Sequence, residues 1–368
     1  MIRKLASSAS IVVLVGLLPP LAMAQSDEIY DFDGVADEDP QPADPTDWMT
    51  SENWGKNDGF DPISPLLPDF GTRVEIDESK YGANAPVIGP GDVAEAFGVR
   101  IGRGSGEGLL TMTEGTLDLV DHCSLPPSTC DSRLRVGAAN VTDPAFRHPG
   151  TFNLSGGTVT TDTLWIGSGS HGEMNMSGGE VNTRGNFYLD WTFDAGSHFS
   201  MTGGVVNVGT DLRMHRNSSL HLDGGTMLIS GAAGLGWADS VVTQTPNVTV
   251  NLSSGLLESA SFLRVEGSVV VDGGILRANS FEDTLSTGTV EINGDGILQF
   301  NNAQESVAAV EALISSGAFT TSEALPLTVT IVDVGGTDFT TVAVVPEPSS
   351  VVLVLLASIT MFSRYRSL

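Results

Sequence analysis

Lysine is nearly missing from this chain. Three lysines (Lys4, Lys56, Lys80) stand among 368 residues, and Lys+Arg total 17 against 45 Asp+Glu, a formal net charge of −28. A surface this acidic repels phosphate backbones, which excludes nucleic acid as a partner. Cysteine is scarce as well: Cys123 and Cys130 alone cannot build a disulfide-dense scaffold or a multi-cysteine zinc module. Charged residues are few, at 17%, but a hydrophobic content of 40% is too high for wholesale disorder. Glycine, by contrast, is abundant: 43 residues, about 12% against roughly 7% in ordinary chains.

Both ends read as addresses. Arg3 and Lys4 precede the apolar run Ile11 to Leu18, and Ala22-Met23-Ala24 has the small-x-small form of a cleavage site. Residues 1–24 are therefore expected to be a helical secretory signal removed by signal peptidase. The mature chain would begin at Gln25 with a charge of −30, since Arg3 and Lys4 leave with the signal. At the other end, Val345-Pro346-Glu347-Pro348-Ser349-Ser350 precedes the apolar run Val351 to Phe362, followed by Arg364 and Arg366. A short apolar helix with trailing arginines reads as a membrane-inserted tail whose positive end stays in the cytoplasm. Twelve residues are few for a permanent span, which suits a segment inserted and then removed.

This tail resembles the PEP-CTERM sorting signal of Gram-negative and planctomycete-type bacteria. The resemblance covers residues 345–368. It implies recognition by an exosortase, a membrane cysteine protease, with Pro346, Glu347 and Pro348 as the motif and Arg364 and Arg366 as the basic stop. It also implies transient anchoring in the inner membrane, then release to the cell surface, outer membrane or exterior. Such tags are attached to bodies of many kinds, so fold and activity have to be read from the rest of the chain.

The middle of the chain repeats. Ser155-Gly156-Gly157-Thr158 recurs as Ser177-Gly178-Gly179-Glu180, Thr202-Gly203-Gly204-Val205 and Asp223-Gly224-Gly225-Thr226, at spacings of 22, 25 and 21 residues, and again as Asp272-Gly273-Gly274-Ile275. Weaker copies are Thr113-Glu114-Gly115-Thr116 and Ser253-Ser254-Gly255-Leu256. Each period holds three short alternating runs. The first ends at the glycines (Phe152-Asn153-Leu154, Met174-Asn175-Met176). The second follows them and centres on Val159, Val181, Val206, Met227, Leu257 and Leu276. The third reads Val99-Arg100-Ile101, Leu134-Arg135-Val136, Leu164-Trp165-Ile166, Phe187-Tyr188-Leu189, Leu212-Arg213-Met214 and Leu263-Arg264-Val265. Alternation places the flanking apolar residues inside and the central ones outside.

Three strands and three corners per turn predict an all-β parallel β-helix, a solenoid of roughly nine coils that the chirality of crossovers makes right-handed. The paired glycines are expected at corners that need positive φ. A β-sandwich is the competing fold, because short strands with glycine turns fit it too. The segments expected are a signal at 1–24, an acidic linker at 25–61, the body at 62–302, a cap at 303–344 and the sorting signal at 345–368. In the cap, Glu305 to Ser316 has helical spacing with Gly317 as its stop, and Leu327 to Val334 and Phe339 to Val344 read as strands. Asp47-Trp48 through Asn53-Trp54 resembles the opening of many exported bacterial solenoid proteins and marks where the body starts.

Four features carry candidate chemistry. Cys123 and Cys130 are expected to close a local disulfide in an oxidising compartment. Asp31, Asp33, Asp37 and Asp39 alternate around Gly34, as calcium ligands do, but lack the full EF-hand spacing, and a solvated acidic linker is the stronger reading. The outward residues of the third strand (Arg100, Arg135, Trp165, Tyr188, Arg213 and, after a gap, Arg264) would form one stripe if coils stack in register. With Trp165 exposed, that stripe would cradle an extracellular polysaccharide, the alternative being a ladder that merely covers its sheet. Finally, Asp190, Arg213 and His215 can be assembled into a polysaccharide lyase, but they match no motif. The reading is an exported surface or extracellular-matrix protein of structural or adhesive function and not an enzyme, with no cofactor beyond the calcium candidate. The rival is a polysaccharide-binding protein or lyase.

Overall fold

A computed structural model describes residues 29–32, 46–49, 54–56, 67–68, 73–78, 84–103, 106–119, 132–138, 148–191, 196–236, 247–282, 286–322 and 326–345. The strands within them stack as coils in a long, almost entirely parallel β-sheet system with three faces, and no opposed antiparallel sandwich forms. On the first face, Val87–Ile88 is followed by Gly108–Met112, Gly150–Leu154, Gly172–Met176 and His198–Met201, each one coil further on. The second face stacks Val93–Glu95, Thr116–Leu119, Thr158–Thr161, Glu180–Thr183 and Val205–Val208 in the same way. The third stacks Arg73–Ile76, Gly98–Ile101, Arg133–Ala138, Thr163–Ser168, Phe187–Leu189 and Leu212–Met214. At about 4.8 Å per layer the rod is about 40 Å long.

The core is the inner lining of these coils. Val159, Val181, Val206, Met227, Leu257 and Leu276, the predicted inward column of the second face, are all buried. Like positions therefore meet their own counterparts one layer away, and faces meet across the interior, as Phe187 and Phe199 do with ring centres 5.4 Å apart. Burying such a column supplies the hydrophobic driving force, because no coil can close a core alone.

In four of the five repeated pairs the two glycines serve different ends, a distinction the repeat does not show; Gly273-Gly274 has no positive φ. At Gly178-Gly179, only the second has a positive φ, 79°. The first is forced by close approach: a Cβ on Gly178 would stand 2.5 Å from the carbonyl oxygen of Ser155 in the coil below. This explains the weaker copies. Gly115 and Gly255 keep the left-handed position while Glu114 and Ser254 replace the first glycine, and beside Ser254 the strand register slips.

The ends differ in part from the sequence expectation. Ile29–Phe32, inside the expected acidic linker, pairs in parallel with Arg73–Ile76 and antiparallel with Trp54–Lys56. Trp48 and Trp54 are fully buried edge to face at 4.6 Å, and the Trp54 indole N–H donates to the Trp48 carbonyl at 2.8 Å. The solenoid thus starts earlier than residue 62. The cap follows the sequence reading: helix Val307–Ser316 is N-capped by the Ser306 side chain and ends at Gly317 in the left-handed conformation. Thr337–Val344 then runs antiparallel to Ile297–Asn301 and pairs on its other edge with Leu327–Val334. Among the described residues no helix is long and apolar enough to cross a membrane. The signal at 1–24, the motif Pro346–Pro348 with its apolar tail, Cys123 and Cys130, and Asp33, Asp37 and Asp39 lie outside the described residues.

Candidate functional site: the arginine and aromatic stripe

The stripe expected on the third face stands in register. Glu75 pairs with Arg100, Arg100 with Arg135, Arg135 with Trp165, Trp165 with Tyr188, Tyr188 with Arg213, Arg213 with Gly234 and Gly234 with Arg264. The gap in the sequence pattern is Gly234, which leaves the column without a side chain in that layer.

The geometry differs from an open platform. Trp165 is half-buried rather than exposed. The guanidiniums of Arg133 and Arg135 lie over its ring at 4.8 and 4.9 Å from the centroid, and Tyr188 and Trp191 pack against it at 5.3 and 5.8 Å. Tyr188 is itself buried, with Arg213 5.8 Å from its ring centre. Arg213 also donates to Asp211 at 2.9 Å, and Arg264 pairs with Glu266. The middle of the stripe is therefore a ladder of cation–π and aromatic contacts between coils, each worth about 0.5–2 kcal/mol. Arg133 and Trp191 were not among the sequence candidates. Arg133 had a readable signal, since the alternation Arg133-Leu134-Arg135-Val136 turns both arginines outward. Trp191 follows its strand and obeys no period.

The end of the stripe nearer the N-terminus is different in kind. Arg73, Arg100, Arg133 and Arg135 converge with Phe97 and Gly98 around an open cleft of about 250 Å³. Glu75, buried beside it, accepts from Arg100 at 3.0 Å and also pairs with Arg103. Burial nevertheless raises the Glu75 carboxyl above its ordinary value, outweighing the pull of Arg103. Burial, reinforced by Arg133, Arg73 and Arg103, lowers Arg135 to about 10, which leaves it a cation at neutral pH.

The lyase candidates stand apart from the cleft, with Asp190 and His215 at one corner in adjacent layers. Asp190 occupies the corner that follows the third strand with φ 55°, one layer beyond Gly167 at φ 83°. Its carboxylate accepts from the Gly196 N–H at 3.2 Å, and the residue is buried. His215, in the next layer, is buried with Trp191 edge-on at 4.9 Å. With Arg213 engaged by Asp211, these three residues do not line the arginine cleft. Asp31 lies in Ile29–Phe32 in register with Glu75. Among the described residues no group of three His, Cys, Asp or Glu converges as a metal site.

The outward columns of the other two faces are polar ladders. Asn175 donates to Asn153 at 3.2 Å and Asn207 to Asn182 at 2.8 Å, and Arg277 bridges Glu258 and Gln299. No protein-family model matches the chain, nor does any curated protein or solved structure.

Proposed function

We propose that the chain is an exported, non-enzymatic rod of the cell surface or extracellular matrix, structural or adhesive in role. Its delivery would run through a secretory signal at 1–24 and a PEP-CTERM-type tail that an exosortase removes. The winding is taken as right-handed, as crossover chirality favours, with an apolar helix at each processed end. The observation that carries the reading is that the outward ladders pack against themselves from coil to coil. Trp165 has two guanidiniums over its ring, Arg213 lies over the Tyr188 ring, and Asn153 is engaged by Asn175. Side chains spent on holding neighbouring coils together suit a durable rod better than a catalytic groove.

The test is the intact mass and location of the mature chain in an exosortase-bearing host. The expected product starts at Gln25, lacks Val351 to Leu368 and is recovered outside the inner membrane. A surface form that keeps the tail would overturn the exosortase route.

One observation favours a second reading, polysaccharide binding along the stripe: the concentration of guanidiniums at one end of it. Glycan-array binding by the full chain, lost in Trp165→Ala and Arg213→Ala, would place recognition on the ladder itself. Release of unsaturated or reducing-end products would establish a lyase.

A further inference from the structure

Arginine is rare in this chain, yet five arginines meet on one stretch of the third face. Arg73, Arg100, Arg133 and Arg135 line the 250 Å³ cleft, and Arg103 joins them through the carboxylate of Glu75 that it shares with Arg100. None of the described residues lining the cleft is acidic. Beside it, Glu75 is buried and bonded to Arg100 and Arg103, and Asp77 is buried as well. Like charges gathered this way repel one another: burial first, and then Arg133, Arg73 and Arg103, lower Arg135. Evenly spread positive charge would avoid the cost, so the arrangement is a local inconsistency that a bound anion removes.

We propose that this cleft is an oxoanion site that seats one carboxylate or sulfate group. The planar guanidinium fork matches those groups through paired, charge-assisted hydrogen bonds. The cleft is shallow and open to solvent, which suits one charged group and not a whole enclosed ligand. The overall charge of −28 does not oppose this. At physiological ionic strength the Debye length is about 8 Å, so acids elsewhere on the rod are screened while the lining arginines act at contact range. A long, dense polyanion such as nucleic acid would still run against the acidic remainder of the surface. The group arrives either as a free small anion or on an acidic saccharide chain. The site goes beyond the export reading and stands on the cleft alone.

The test is calorimetric titration of the full-length chain with sodium sulfate, galacturonate, polygalacturonate, dextran sulfate and neutral dextran. Binding of the anionic probes is expected, weakening with salt. Affinity should fall by about tenfold or more in Arg135→Gln and in Arg73→Gln. Arg135 touches Trp165, so the Arg73 variant keeps the test valid if Arg135→Gln fails to fold. Monomers binding as tightly as polymers would identify a free anion as the ligand, and a preference for a polymer would identify a chain-borne group. The proposal is overturned if no anionic probe binds, if affinity is unchanged in both variants, or if neutral dextran binds equally well. Any of these results leaves the mature-mass test of export untouched.

Discussion

The guanidinium of Arg135 lies 4.9 Å from the centre of the Trp165 ring, its register partner one coil further on. Arg133 occupies the same ring at 4.8 Å, so the indole is shared between two cations of one strand. Trp165→Ala removes a half-buried ring together with both cation–π contacts. A loss of about 2 kcal/mol in urea-denaturation stability is expected, with Trp165→Phe recovering part of it. An unchanged midpoint would mean that the ladder contributes nothing to holding the coils.

Corner glycines should differ in sensitivity according to what surrounds them. Gly179 combines a φ of 79° with a carbonyl oxygen of Gly157 at 2.7 Å from where a Cβ would stand. Gly91 has a φ of 88° and open space. Gly91→Ala should therefore cost only its backbone strain, about 1 kcal/mol, and Gly179→Ala clearly more. Thermal melts of the two variants decide it, and equal losses would refute the close-stacking account.

The interior predicts a larger effect. Phe199 is fully buried and packs its ring against Phe187. Phe199→Ala should destabilise by about 3–5 kcal/mol through lost burial and an unfilled cavity, measured as a shifted denaturant midpoint.

The first face carries a pH effect. Burial and the neighbouring His221 hold the His198 imidazole below its ordinary value, against the opposing pull of Glu173, and its Nδ1 lies 2.6 Å from the Ser219 hydroxyl. A depressed histidine binds fewer protons folded than unfolded. Its contribution to stability is therefore complete above about pH 6.5 and is lost as pH falls towards the folded value. Glu75 has the opposite displacement: its raised carboxyl contributes most below its ordinary value of 4.5 and loses that contribution as pH rises. Melts between pH 7.5 and 5.5 should show wild type losing more stability than His198→Gln. Parallel curves would exclude His198 as the source.

What was legible in the sequence was whatever the period repeats. Gly178-Gly179, the inward Val159–Val181–Val206 column and the order of the Arg135–Trp165–Tyr188–Arg213 stripe all follow from alternation and coil length, so one coil predicts the next. Ile29–Phe32 was not legible, because its acidic surroundings hide a strand whose parallel partner lies more than forty residues away. The arginine cleft was only half legible. Arg100 and Arg135 belong to the repeated column, but Arg73 comes from a coil without a glycine pair and Arg133 sits at the start of its strand. Exposure was misjudged for Trp165 because alternation tells which way a side chain points and not what folds over it; Trp191, from outside the repeat, is part of that cover.

The strand Thr337–Val344 runs against the direction of every coil it follows. It takes the place of the next coil beside Ile297–Asn301 and carries Leu327–Val334 on its far edge. Coil-on-coil repetition stops at that strand, so the length of the rod is written into the number of coils that precede it.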